Sequence, residues 1–595
     1  MTCRVVYRVL LGVLIAACAA ARAADPDDLQ IKIATAVAHL ASSDPADRDA
    51  AATTLIGLGA QARRAVFEAS RSDDPELSAR ASELLLKLPW YLPDDSPAVR
   101  VLLQQYGQLD VDHRKQVVVR LSELPQHGFE AMERLIVEEP SDDVKWVVVA
   151  AVRTNFREAA LAGFRKLDTT GDASAPLLAA AGHAWMSKDA RKGAALLRQS
   201  LVIDAQHPAG DGGEVEIAYE RLQNLALLAG EYDRVAELLR MRAARNAVDG
   251  DGEPSRAVLE LFAAHAKFGP LNGFDKDLET YKDQLGDARL MFAIGKIYER
   301  AGQPLLAAAT YRSAHLADLV SVQDRFDQGD FLLRQGWLDL AEGEFSTIFD
   351  VAADHSTDPG RRKPANRPGV QFTAELDQAN AHFRLAQVAA AREDDYVAAE
   401  HMRQAMELHY KGHGELTGAS DTEMWQDINW HYLRAAVAKG DKADVDRRLG
   451  ELLASASSTA APLANPDVAN DVVPLLRARG RVEEASDLYK RMRQGLQDNW
   501  PGTPEHPMLK NNLAWLSARC GEQKEEALRL ALEASEAMPD NAAFVDTLAE
   551  AHYQLGHYGQ AARLEAKVVG ARPNDRFLRN QLKRFEEAAK GRERK

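Results

Sequence analysis

Few residues in this chain have the type and spacing that chemistry needs. His401, His409 and His413 are the best metal-ligand candidates. His409 and His413 stand four apart, which could place both on one helix face. Lys411, Gly412 and Gly414 end that helix, however, and no acid falls at a spacing that completes a site. Surface and loop histidines describe them better, and no metal is expected. The cysteines are Cys3, Cys18 and Cys520. Cys520 falls in a predicted inter-helix turn and reads as a tolerated small residue in preference to a nucleophile. The chain lacks Gly-x4-Gly-Lys-Ser/Thr, Gly-x-Gly-x2-Gly in a strand context, Gly-x-Ser-x-Gly, His-Glu-x2-His and Cys-x2-Cys-His. Its many Asp and Glu residues can be paired on paper, but a catalytic pair needs a pocket that shifts a pKa. No catalytic residue and no cofactor is expected.

What positions these residues must be an array. The 595 residues exceed the roughly 250–300 at which a single core stops growing. Hydrophobic residues make up 46% and charged residues 27%, close to globular usage. Aromatics are only 7%, and abundant Ala and Leu favour helix over strand. The formal net charge of −16 repels phosphate backbones, so no nucleic acid partner is expected.

The N-terminus reads as an export signal over residues 1–23. Arg4 and Arg8 precede the apolar run 9–17, and Ala21-Arg22-Ala23 is an A-x-A cleavage site. Ile15-Ala16-Ala17-Cys18 instead resembles a lipobox, with Cys18 lipidated. Either way the chain is expected outside the cytoplasm, periplasmic or at the cell surface. No later stretch approaches the about 20 apolar residues of a membrane span. Either cleavage leaves at most two cysteines, so no intramolecular disulfide is expected.

Self-similarity supplies the architecture. Gly295, Gly302, Ala307 and Tyr311 recur 34 residues later, without a gap, as Gly329, Gly336, Ala341 and Phe345. Pro539-Asp540-Asn541 recurs as Pro573-Asn574-Asp575, and Ala527 as Ala561. The spacing resembles the tetratricopeptide (TPR) repeat, L-G-x2-Y then A-x3-F. In that pattern the first glycine lets two helices touch, the second ends a helix in the left-handed region, and the aromatic fills space against the next hairpin. Weaker units fit around Trp185, Leu222, Leu385, Trp430 and Tyr489. Before residue 155, Asp44-Pro45 recurs as Asp74-Pro75, and Pro140-Ser141-Asp142 opens a further helix. This resembles short HEAT-like repeats, with Asp capping and Pro in the first turn.

The expected fold is all-α, a right-handed α-solenoid. HEAT-like repeats take 24–155 and a first TPR array takes 175–353. A Pro/Gly/Arg-rich loop spans 354–376, and a second array with a polar capping helix spans 377–590. Residues 89–97, with an exposed-looking Trp90-Tyr91, and 454–466 also interrupt the pattern.

The resemblance implies a non-catalytic scaffold that binds a protein or extended peptide on its concave surface. The groove would be lined by Arg289, Phe292, Lys296 and Arg300, then Phe326, Asp330 and Arg334, then Asn380, Phe383 and Gln387. The Lys/Asn carboxylate clamp of chaperone-binding TPR domains is not seen. Two alternatives stay open. One is a carrier holding a small molecule or glycan within the superhelix. The other is an enzyme with a site at the HEAT/TPR junction, near residues 90–175.

Overall fold

A computed structural model describes residues 26–124, 127–155, 158–171, 173–206, 212–246, 254–317, 321–355, 374–412, 421–456 and 465–593. Among these residues there are 30 α-helices and no strand, so the chain is an all-α solenoid of helix-turn-helix repeats. No helix among them is long and apolar enough to cross a membrane. The export segment 1–23, with Cys18, lies outside the described residues, as do His413 and most of the 354–376 loop.

The chain divides into two compact units, one ending at Ala184 and the other beginning at Trp185. In the first, the two Asp-Pro pairs do what their spacing predicts. The Asp44 carboxylate accepts from Ala46 N at 2.8 Å and opens helix Pro45–Leu58. Asp74 accepts from Glu76 N at 2.9 Å and opens Pro75–Leu85. One expectation is corrected: Trp90 is 3% exposed. The Arg63 guanidinium lies 3.9 Å over its ring and Tyr106 packs 4.9 Å away. Pro89 and Pro93 do mark irregular chain and Pro97 opens helix Pro97–Leu103, but buried neighbours cover the segment.

In the second unit the 34-residue recurrence is steric. A Cβ on Gly295 would stand 2.2 Å from the Tyr311 ring, and one on Gly329 2.3 Å from the Phe345 ring. Each glycine thus admits the aromatic of its own second helix. Gly302 and Gly336 both have φ +72°, ending helices Ala288–Arg300 and Val322–Arg334. The two turns differ in surroundings. Nothing lies within 4 Å of a Cβ on Gly302, whereas one on Gly336 would meet the Asn574 Cβ at 2.6 Å. Gly302→Ala should therefore cost about 1–2 kcal/mol through the left-handed backbone alone. Gly336→Ala should cost about 1–3 kcal/mol more through the clash. Urea denaturation of the two variants reads the difference, and equal losses would remove the close approach of the last repeat.

That approach is one of several long-range ties. Arg221 on helix Gly212–Ala229 makes two bonds to Asp540, 2.7 and 3.1 Å. Tyr232 Oη donates to Gly570 O at 3.1 Å, and Asn574 Nδ2 to Gln335 O at 2.9 Å. Leu228 joins the cluster of Val545, Val568 and Leu578. The end of the array is bonded to its beginning and its middle.

Candidate functional site

Four successive first helices place one residue ten positions before the glycine that ends the turn: Trp430 before Gly440, Asn470 before Gly480, Asn511 before Gly521 and Asp546 before Gly556. All four line one cavity of about 520 Å³. Helices Asp421–Lys439, Pro466–Ala478, Pro507–Cys520 and Ala542–Gln554 form its wall. Phe577, 39% exposed on the last helix, stands at its edge.

The cavity repeats a motif. Trp430 and Arg434 are four apart, as are Trp515 and Arg519, so each pair shares a helix face. The guanidinium carbons lie 5.2 and 5.5 Å from the ring centres. The helix between them carries Asp467 and Asp471, again four apart. Trp430 Nε1 donates to Asp471 at 2.9 Å, and Trp515 Nε1 to Asp467 at 3.1 Å. Both indoles are pinned with their faces fixed, and each arginine sits 3.8 Å from Asp471. Asn470 Nδ2 is bound to Asp467 at 2.9 Å. The Oδ1 atoms of Asn470 and Asn511 have no partner, although the residues are only 6% and 7% exposed. A buried acceptor left unmade is costly, so these two point to a donor that a ligand brings.

Beneath them Asp546 and Glu565 form a carboxyl pair. Burial raises both pKa values, and each one's proximity to the other holds a proton on Glu565. Gln581 donates to Asp546, and Arg584 pairs with the fully buried Glu550. The sign of the consequence is fixed. An unfolded glutamate ionises near about 4.3, while folded Glu565 keeps its proton well above that. Its burial therefore destabilises the fold increasingly as pH rises through the unfolded value toward the folded one. Glu565→Gln should raise stability at pH 8 by at least about 1.4 kcal/mol, the equivalent of one pKa unit, and change it little at pH 4. Paired urea titrations at the two pH values check it.

The residues expected to line a groove are differently placed. Phe292 is corrected to the core: it is 2% exposed and packs 6.3 Å from Tyr311, because the neighbouring hairpins cover it. Arg289 pairs with its helix cap Asp287 at 2.7 Å, and Lys296 with Glu299 at 2.9 Å. Arg300 bonds Lys267 O at 2.6 Å. Asp330 is bridged to Arg384 at 2.7 Å, and Gln387 accepts from Arg384 at 3.4 Å. Phe326, Asn380 and Phe383 are half-buried. Arg334 is exposed and lines a second cleft. The cavity residues Trp430, Asn470, Asn511 and Trp515 were missed, although their constant offset from the turn glycine is a sequence signal.

The other chemical candidates resolve as packing. His401 pairs with His382, Nδ1 to Nδ1 at 2.9 Å, and burial lowers His382 to about 4. Among the described residues no group of three or more His, Cys, Asp or Glu could hold a metal ion. Cys520 is the last residue of its helix rather than part of a turn. It is buried, with its thiol pushed up to about 12 by burial. In the first unit, Glu138 and Glu139 are taken up by Arg63, Arg114 and Tyr106 at 2.7–2.8 Å.

No family model and no curated protein matches the chain. Solved structures similar to it include a Rap protein complexed with competence and sporulation factor, at 14% identity. That match covers 62% of this chain and 99% of that one, with a TM-score of 0.27. The P58(IPK) TPR domain matches at 11% identity, covering 81% and 100%, with a TM-score of 0.19. The APC/C hetero-tetramer Cut9–Hcn1 matches at 11%, covering 94% and 93%, with a TM-score of 0.22. At these scores nothing about the site is transferred from them.

Proposed function

We propose that the chain is a non-catalytic interaction scaffold that holds an extended peptide segment of a protein partner across the 421–577 face. One observation carries this: two buried, unpartnered amide oxygens, Asn470 and Asn511, lie between two pinned Trp–Arg pairs. An extended peptide presents N–H donors along its length, and fixed indole faces take its apolar side chains with little further entropy loss. The half-buried strip Phe326, Asn380, Phe383 and Gln387 is proposed as its continuation. The TPR and HEAT-like resemblances, and a location outside the cytoplasm after removal of residues 1–23 or lipidation at Cys18, belong to the same proposal. The mass of the mature N-terminus decides between the last two.

A random-peptide display selection on the immobilised full chain tests the scaffold. Enriched peptides should lose at least tenfold in affinity to the Asn470→Ala/Asn511→Ala variant and to Trp515→Ala. A selection that returns nothing above background, or binders indifferent to both variants, would sink the proposal.

A further inference from the structure

A second cleft, of about 380 Å³, lies away from the Trp–Arg cavity. Its wall comes from helices Gly212–Ala229, Tyr232–Asn246 and Arg256–Phe268. Arg334 and Gln335 from the middle of the array, and Ala571 from its end, complete it. The cleft therefore exists because the array returns on itself. Tyr232 stacks on Phe268 at 4.1 Å and donates to Gly570 O at 3.1 Å, which fixes the Ala571 edge.

The polar lining separates into spent and unspent groups. Glu260 is held by Arg256 at 2.7 Å and Arg242 at 3.1 Å, and Glu220 by the same two arginines at 3.4 and 3.7 Å. Besides the side-chain amides of Asn224 and Gln335, what remains is cationic or donating. Lys267 is half-buried and makes no ion pair among the described residues. Burial pulls its pKa down to about 8, against the pull of Glu260 and with the added repulsion of Arg572. Arg334 likewise makes no ion pair. Gln223 is 7% exposed, and its Nε2 has no hydrogen-bond partner. In a chain of formal charge −16, this is a local concentration of spare donors. The remaining wall is apolar: Leu227, Val235, Leu239, Ala263, Ala264 and Phe268.

We propose that this cleft binds a small organic carboxylate carried on an apolar stem, such as a medium-chain acyl carboxylate, with Lys267, Gln223 Nε2 and Arg334 receiving the carboxylate. A carboxylate brings acceptors only, which matches the cations of Lys267 and Arg334 and the unpartnered Gln223 Nε2. A peptide segment brings N–H donors as well, and the lining helices offer it few acceptors, because their backbone groups are already bonded within the helices. A cleft of this volume falls in the range of small-molecule sites. The site is independent of the peptide groove and stands or falls separately.

Calorimetry on the full chain with octanoate and octanamide tests it. Octanoate should bind at least tenfold more tightly than octanamide. Lys267→Met should weaken octanoate at least tenfold, and Lys267→Arg should restore most of it. Gln223→Leu should weaken octanoate several-fold without lowering the thermal midpoint, since it also removes an orphan donor. Trp515→Ala should leave octanoate binding unchanged. The proposal is overturned by absence of octanoate binding, by equal binding of the amide, by indifference to Lys267→Met, or by loss on Trp515→Ala. A tripeptide with an apolar free C-terminus that binds more tightly than octanoate would also overturn it.

Discussion

Arg221→Ala should destabilise the second unit by about 3–5 kcal/mol and enlarge it. Arg221 and Asp540 are 10% and 5% exposed at their side chains and meet through two hydrogen bonds. Truncating the arginine leaves a buried carboxylate without its counter-ion, the circumstance in which losses of about 3–5 kcal/mol are found. Position makes the pair unusual for a repeat protein. Repeats in a solenoid ordinarily touch only their neighbours, and stability is a sum of nearest-neighbour terms. Here the partners are 319 residues apart. The array should thus unfold as one unit when the tie holds and progressively when it is cut. Urea denaturation followed by circular dichroism should show a lower midpoint and a broader transition. Small-angle scattering should show a larger radius. Arg221→Met combined with Asp540→Leu should recover much of the loss, because no charge is then stranded. Unchanged midpoint and radius in Arg221→Ala would mean that the return contact is incidental.

Glu393 supports the same view. The first-helix turns of other repeats end in glycine at φ near +72° (Gly302 and Gly336 among them), whereas Glu393 takes φ 57°. A non-glycine residue there costs roughly 1–2 kcal/mol. Its carboxylate receives Asn580 Nδ2 at 2.6 Å and pairs with Arg576 at 3.2 Å, both on the last helix. Local strain is retained where a side chain is needed for the long-range tie.

These ties mark the boundary of what the sequence could disclose. The gapless 34-residue recurrence was legible because Gly329 and Phe345 meet inside one hairpin, and short-range packing leaves a residue-by-residue imprint. The lining register was legible in kind: Phe292, Phe326, Trp430, Asn470, Asn511 and Asp546 all stand ten residues before a turn glycine. Which of them open onto a cavity was not. Periodicity gives the face of a helix but not how deeply neighbouring hairpins cover it, so Phe292 has the register of a groove anchor and is core. The cover of Trp90 is equally invisible to local pattern, since its guanidinium comes from Arg63 on helix Arg63–Ser70. The second cleft was invisible, because it needs Ala571 beside helix Arg256–Phe268, and no single repeat carries that information.

Arg325→Met should cost about 3–5 kcal/mol, and the reason separates order from strength. Arg325 and Glu344 are 1% and 3% exposed at their side chains and meet at 2.6 Å across the hairpin of Val322–Arg334 and Leu338–His355. The guanidinium also donates to His315 O at 2.7 Å and to Gln328 at 3.3 Å, so one planar fork serves three acceptors on three elements. Methionine fills similar space but leaves Glu344, among the described residues, with only a hydrogen bond to the His315 imidazole, 2.8 Å away. Lysine keeps the charge yet presents it at a single point, so Arg325→Lys should recover only part of the loss. Arg325→Met with Glu344→Leu should return to wild-type stability or exceed it, since an apolar pair of similar volume carries no desolvation penalty. Equilibrium urea unfolding of wild type, Arg325→Met, Glu344→Leu and the double variant closes the cycle. A single-variant loss below about 1 kcal/mol, the range of exposed ion pairs, would show that water reaches Glu344 and that the pair does not lock this hairpin. A double variant as unstable as the single would locate the cost in packing rather than in the stranded charge.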